Sequence, residues 1–560
     1  MNSITLLIIG TVCLLAGYVF YGRWLAKTWG VDVSKPTPAV EVDDGVDFVS
    51  AKPSVLLGHH FSSIAGAGPI TGPIQAAVFG WLPVTLWIII GGIFFGAVHD
   101  FGALFASVRN KGKSIGELIS QTMGRRAKLL FLLFAYLTLI LVIAAFSSIV
   151  ADTFEGFNSD GTVNATNGTA ASISLLFIVM AVVLGYILNR FKPSTLISAS
   201  IAVALLIVSI VLGVLFPVYI SGEIWIWILA IYVLAASVLP VWILLQPRDY
   251  MCSFLLYGLL AVAFVGILVA NPTIHLPHFT SFETNLGYLF PALFITVACG
   301  AISGFHSLVS SGTTSKQLDN ERNMLRIGYG GMIIECVLAL IALICVGILY
   351  TDSMPSGTPT QIFAQGVANI TSSIGLAAYE ETAYSMVILA VSAFALTSLD
   401  TATRLGRFLF QEMFERDNEG SVSEGKDWRS LLSNPYVATV ITVALGISLA
   451  LVGYQNVWAL FGTANQLLAL IAMLAVAAWL GNIGKKNGML LIPMAFMVLA
   501  TMTSLISIIC RKTEVLLVEL QASAVIQIVI SALLLILALF LLYEGVTVLR
   551  EQMQHKTQNV

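Results

Sequence analysis

Charge is scarce in this chain: Lys, Arg, Asp and Glu together make up 10% of 560 residues, against 58% hydrophobic residues. With a formal net charge of −3 and its basic residues confined to short loops, it has no basic face to track a phosphate backbone, which excludes a nucleic-acid partner. Cysteine is sparse as well. Cys13, Cys252, Cys299, Cys336, Cys345 and Cys510 stand singly in or beside apolar runs with no Cys-x-x-Cys pair. That excludes a disulfide framework and a thiolate zinc cluster, and leaves buried free thiols. No GxxxxGK[ST] loop occurs, so nucleotide-driven transport of that kind is excluded. No span supplies a ring of like charges or a continuous polar path, as a channel requires. The loops, at most about 30 residues, are too short for a soluble signalling domain.

What abounds is apolar sequence, with a mean hydropathy of +0.92. That is the composition of an all-α polytopic membrane protein. At about 20 residues per span, spans are expected at 4–22, 60–80, 82–106, 128–151, 171–189, 194–217, 224–245 and 253–270, then at 286–310, 327–350, 384–403, 434–452, 457–480, 488–510 and 522–547. These make about 15 transmembrane helices. Residues 4–22 follow no basic leader and precede no small-residue cleavage site, so they read as a retained span and not as a signal peptide. Lys and Arg accumulate on the cytoplasmic side. Arg109, Lys111, Lys113, Arg125, Arg126 and Lys128 therefore mark that side, whereas loops 151–170, 271–285 and 351–383 contain no Lys or Arg. The N-terminus is expected outside and the C-terminus inside. Arg511 and Lys512 are the one discordant pair.

Residues 64–73, IAGAGPITGP, place three glycines and two prolines inside a span. Irregular backbone at that depth survives only where protein or water satisfies the freed groups. Pro69 lacks the N–H that would bond Ala65, and Pro73 does the same to Pro69. The freed amides around Gly66, Ala67, Gly68, Pro69, Thr71 and Gly72 are expected to bind a carboxylate. Five spans later, in the opposite direction, SVLPVWILLQPRDY offers a second interruption, where Pro240 frees the carbonyl of Ala236. Two interrupted helices at matching places in opposed halves point to an inverted repeat with the substrate between them. The carbonyls near Ala236, with Gln246 deeper, suit an ammonium, and Trp242 an apolar wall. Ordinary packing kinks are the alternative at both places, more so at Pro240.

Ser303, Ser307, Ser310, Ser311 and Thr314 form one helical stripe with His306 on its edge. Such a stripe serves a coupling ion or a gate, or bonds neighbouring helices as small-residue glue. Titratable groups inside spans are costly and so are functional candidates. His99 and Asp100, with His59 and His60 at the same level, can pass protons, hold a divalent metal, or lock two helices by hydrogen bonds. Asp100 is the first candidate for the proton carrier. Glu335 is another, and Asp400 is expected to pair with the nearby Arg404 or Arg407 as part of a gate.

The runs DGVDFVSAKPSVLLGHHFSSIAGAGPITGPIQAAVFGWLP, GAVHDFGALFASVR, LPVWILLQPRDY, CGAISGFHSLVSSGTTSKQL and FGTANQLLA span residues 44 to 469. They resemble the signatures of the carbon starvation protein A family of prokaryotic inner-membrane transporters. The resemblance implies peptide uptake during nutrient starvation, some members carrying pyruvate with protons. It also implies a LeuT-like core of five plus five inverted helices with additional peripheral helices, shared with the amino acid–polyamine–organocation superfamily.

Four regions are expected: an extra N-terminal span and cytoplasmic loop at 1–58, a first five-helix repeat at 59–218, a second at 219–410, and peripheral helices with a short tail at 411–560. The function expected is peptide import by symport in the bacterial cytoplasmic membrane, coupled to a proton or to sodium. Pyruvate with a proton is the alternative, and a membrane metal hydrolase on His59, His60, His99 and Asp100 a distant third. The partners are the substrate and the bilayer; FGTANQLLA suits packing on the core or a contact with a second copy.

Overall fold

The computed structural model describes residues 2–45, 48–158, 160–240, 242–414, 428–451, 454–518 and 521–558. Val46, Asp47 and Val241 of the quoted runs, and the last residue of the span expected at 434–452, lie outside them. Eleven helices among the described residues are long and apolar enough to cross a membrane. The one sheet among them is a hairpin of Glu283–Thr284 with Gly287–Tyr288.

In chain order the longer elements are α1 (Ser3–Trp29), α2 (Pro53–Ile64), α3 (Gly68–Ala76), α4 (Trp81–Arg109), α5 (Ile115–Met123), α6 (Arg125–Thr153), α7 (Ala165–Phe191) and α8 (Thr195–Leu215). They continue with α9 (Gly222–Val238), α10 (Leu245–Ala270), α11 (Leu289–Thr296), α12 (Phe305–Gly312), α13 (Glu321–Leu349) and α14 (Pro359–Thr371). The last are α15 (Glu380–Phe414), α16 (Pro435–Ala450), α17 (Tyr454–Asn482), α18 (Gly488–Val518) and α19 (Ala522–Gln558).

Burial sorts these helices into core and rim. The most apolar stretch of α17 is 94% buried and those of α6 and α13 are 78% buried, against 22% for α8 and 33% for α1 and α19. The last three present apolar side chains outward, as lipid-facing helices do. The expectation that everything beyond residue 411 is peripheral is thus corrected: α17 lies at the centre, because its small and amide side chains let other backbones approach it.

Packing partners recur in pairs. The largest interface is between α6 and α15. As α2 packs on α10 and α3 on α13, so α11 packs on α17 and α12 on α4. As α10 and α9 pack on α15, so α17 and α16 pack on α6. The α7–α8 hairpin stands outside this pattern, since α8 touches chiefly α7 and α10.

The loop expected at 351–383 contains α14. Thr358 caps it by accepting from the Gln361 amide while the Gln361 side chain accepts from the Thr358 amide, a capping box that starts a helix without a long apolar run. The second interruption is also not where proline suggested. At Pro240 the chain has already left α9, which ends at Val238, and neither Leu239 and Pro240 nor residues 242–244 belong to a helix, α10 starting at Leu245. The interrupted element of the second half is α11 and α12, separated by residues 297–304.

Candidate functional site

The two breaks meet. In the first, α2 stops at Ile64, the Gly66 amide turns back to the Ile64 carbonyl (2.9 Å), and α3 starts at Gly68 with Pro69 in its first turn, where a missing N–H costs nothing. Gly68 and Gly72 carry α3 against the second break. A Cβ on Gly68 would lie 2.5 Å from Cys299 Sγ, and one on Gly72 2.6 Å from the Thr296 carbonyl oxygen, so only glycine permits this approach.

The second break contains no proline and is held from outside. The Gly304 amide donates to the Asn465 carbonyl (3.0 Å), and the Phe305 amide to Asn465 Oδ1 (2.8 Å). Asn465 Nδ2 donates to Ser303 Oγ at 3.0 Å. One residue of α17 thus satisfies both amides that open α12, which buried polar groups require. Gln466 Nε2 reaches the Phe294 carbonyl (2.5 Å) on the other side of the break. The amides of FGTANQLLA therefore pack on the core.

A buried charged cluster surrounds this junction. Asp100 on α4 accepts from His99 Nδ1 (2.7 Å) and, with its other oxygen, from His306 Nδ1 (2.8 Å) on α12. His306 Nε2 faces Glu335 Oε2 of α13 at 3.5 Å. Asp100, His306 and Glu335 are all 0% exposed. One turn along α13, Gly331 touches His60, whose Nδ1 meets Thr314 Oγ1 at 2.9 Å. A second cluster lies toward the face that carries the basic loops. His59 Nδ1 donates to Asp249 (2.6 Å), Gln317 Nε2 lies 3.4 Å from His59 Nε2, and Arg248 pairs with Asp400, which also accepts from Tyr232 (2.6 Å).

Gly68 and Gly72 lie against Cys299 and Thr296 of the second break, Gly66, Ala67, Pro69 and Thr71 are buried on the same segment, and Ser303 and His306 are buried where α12 opens. Ser307 bonds the Gly304 carbonyl (2.7 Å), and Ser310 is buried on the same helix. The structure does not bring Ala236, Pro240, Trp242 and Gln246 to that place. The carbonyls of Ala236 and Leu239 accept from Arg404, Pro240 is exposed, Trp242 lies beside Gly185, and Gln246 bonds Gln317 (2.9 Å). Asp400 pairs across helices with Arg248, and Arg404, four residues on, donates to the carbonyls of Ala236 and Leu239. Nor do the four proposed metal ligands converge: His59 belongs to the Asp249 cluster, and among the described residues no group of three or more His, Cys, Asp and Glu is disposed to hold a metal ion. Reading residue by residue missed Asn465 and Arg248. Polar side chains in apolar helices were the available signal.

Two cavities flank the crossing. One of about 230 Å³ lies between α3, α11, α17 and α18 and includes Gln75, Thr296, Gly462 and Arg511. The other, about 510 Å³, opens on the basic face beside Ser311, Lys316 and Glu412.

Residues 2–357 and 353–504 match the family model described as Carbon starvation protein CstA. The chain is 33% identical over 578 residues to the peptide transporter CstA of Escherichia coli K12, covering 89% of this chain and 80% of that protein. It is 32% identical to the peptide transporter CstA of Bacillus subtilis 168, with 89% of each covered. It is 31% identical to the pyruvate/proton symporter BtsT of E. coli K12, over 82% and 75% respectively. Among solved structures it resembles the Eremococcus coleocola manganese transporter, with a TM-score of 0.53 at 13% identity, over 90% of this chain and 99% of that one. That likeness concerns the fold alone and agrees with a LeuT-like helical core.

Proposed function

Because this chain belongs to the carbon starvation protein CstA family, we propose that it imports peptides across the bacterial cytoplasmic membrane by proton symport, in service of nutrient starvation. The observation that carries this reading is the meeting of two interrupted helices at Gly68 with Cys299 and Gly72 with Thr296. Paired interruptions of opposed direction are how secondary transporters build a midplane site. On this reading the first repeat is α2 with α3, α4, α6, α9 and α10, and the second is α11 with α12, α13, α15, α16 and α17. The packing pairs support that division, which moves the boundary between repeats from residue 219 to 289 and makes α7 and α8 an insertion.

Each group then has a task. The amides that open α3 receive the substrate carboxylate. The cavity beside Gln75 and Arg511 is the approach from outside, with the basic face cytoplasmic. His59 with Asp249, and Arg248 with Asp400, tie α2, α10 and α15 together as the inner gate. The relatives named as peptide transporters favour a peptide. Pyruvate is the second reading, favoured by the relative named as a pyruvate/proton symporter and by one observation: Arg404 takes the carbonyls that were to bind a peptide ammonium. The test is uptake into proteoliposomes with a pH indicator inside. Trialanine entering with acidification supports peptide symport, whereas acidification with pyruvate alone replaces it by the second reading.

A further inference from the structure

We propose that Glu335 is the residue that carries the transported proton, with Asp100 a permanent anion beside it. The assignment rests on the symport reading above.

The two carboxylates are equally buried but differently served. Both oxygens of Asp100 accept hydrogen bonds from imidazole N–H groups, at 2.7 and 2.8 Å. Such bonds hold a carboxylate in its charged form. Among the described residues neither oxygen of Glu335 has a hydrogen-bond partner, and His306 Nε2 faces it at 3.5 Å. An ionised carboxylate in that position has lost its water and gained no hydrogen bond, a costly state that a bound proton relieves.

The surroundings leave Glu335 as the group whose charge can change. His306 faces it from α12, with Asp100 and His99 of α4 behind that ring, His60 of α2 lies one turn away at Gly331, and Cys299 of the second break and Cys336 of α13 are the nearby thiols. Helices α3 and α14, which also pack on α13, contain no titratable residue. Helix α1 meets α13 through Gly10 at Leu340 and Tyr18 at Tyr329. Arg248 and Asp249 of α10 are engaged elsewhere, with Asp400 and His59.

His306 presents one nitrogen to each carboxylate, so a doubly protonated ring serves both. Counting the three facing groups, with Asp100 at −1 and His306 at +1, the net charge is −1 when Glu335 is ionised and zero once it takes one proton. A neutral cluster is the form that a dry core tolerates while the helices rearrange. Glu335 is also placed to report that state to both halves. Gly331, Glu335 and Ala339 form one stripe of α13 that meets His60, His306 and Gly300 in turn. His60, one turn nearer the basic face, lies on the route by which the proton leaves to the cytoplasm.

The experiment uses the full chain in proteoliposomes, offered trialanine and, separately, pyruvate, with internal pH followed. Glu335→Gln copies the protonated side chain. It should abolish substrate-driven acidification and lower pH-driven accumulation about tenfold or more, to the external concentration, while exchange of labelled for unlabelled substrate survives without pH dependence. Acidification persisting in Glu335→Gln overturns the assignment, as does Asp100→Asn giving the same pH-independent exchange while Glu335→Gln keeps the wild-type pH profile. Should Glu335→Gln fail to reach the membrane, Glu335→Asp supplies the test. It must shift both the pH midpoint of uptake and the infrared band of a protonated carboxyl recorded between about pH 5 and about pH 9, and an unmoved band overturns the proposal. Wild-type uptake of either probe without acidification means instead that the symport reading has failed.

Discussion

The two breaks reach the same geometry by different means. The first is written into its own segment: Gly66, Gly68 and Pro69 disfavour a helix continuous from α2 into α3, and the Gly66 amide finds its acceptor two residues back. The second contains no proline, and its opening amides are satisfied by Asn465, more than 150 residues later in the chain. A break made by covalent geometry is local, whereas one made by a partner exists only once the bundle has formed. The first half of the crossing is therefore fixed by chemistry and the second by assembly.

The largest effect that separates them is steric. A Cβ on Gly304 would strike the Asn465 carbonyl and the Ala469 amide, both backbone atoms, and Leu468 Cβ at 2.6 Å. Gly304→Ala should cost about 3 kcal/mol, at the upper end of overpacking penalties, and no side-chain truncation should restore it. Gly68→Ala meets Cys299 Sγ and Cβ at 2.5 and 2.6 Å, but Cys299 Cα only at 4.0 Å. Adding Cys299→Gly to Gly68→Ala should therefore recover the thermal midpoint in detergent and most of the uptake. Rescue of Gly304→Ala, or none for Gly68→Ala, would erase the distinction.

This difference also sets how much was readable from the chain. Apolar runs gave the helices, and glycine with proline gave residues 64–73, because both signals act within one segment. The second break was sought at Pro240, where proline only ends a helix in a connection. CGAISG carries two glycines and no proline, and its meaning depends on Asn465 across the core. The Asp100 and His99 contact was visible as neighbours in sequence. The approach of Glu335 to His306, and of Arg248 to Asp400, depends on which helices become neighbours, which no local pattern encodes. Helix α14 was hidden for a related reason: it is short and half polar, so hydropathy passes over it.

A smaller effect tests the partner. Asn465→Ala leaves the Phe305 amide and Ser303 hydroxyl without their side-chain partner, while the backbone bond from Gly304 remains. Leaving a buried donor unpaired costs about 1–3 kcal/mol. The variant should fold with a lowered thermal midpoint and a reduced maximal rate of uptake. Pro69→Ala, by contrast, should retain the first break, because Gly66 and Gly68 still turn the chain and Gly72 still abuts Thr296. A Pro69→Ala variant as damaged as Asn465→Ala would show that the first break also depends on a single support.

The smallest expected effect concerns the place where proline suggested a second break. If Pro240 opened a substrate site, Gln246 and Trp242 would line it, and removing either would raise the KM for substrate about tenfold or more, as loss of a direct contact does. The structure assigns them otherwise. Gln246, in the first turn of α10 on the basic face, bonds Gln317 at 2.9 Å, and Trp242 is half-buried beside α7. A side chain that makes no contact with substrate contributes nothing direct to its affinity, so Gln246→Ala should leave KM within about twofold of the wild type. Gln317 also approaches His59 at 3.4 Å. Any residual effect of Gln246→Ala should therefore appear in the rate of inner opening, read as a change in maximal exchange rate, and not in affinity. A KM shifted with the maximal rate unchanged would return substrate to this place and leave the second break at 297–304 as a packing feature only.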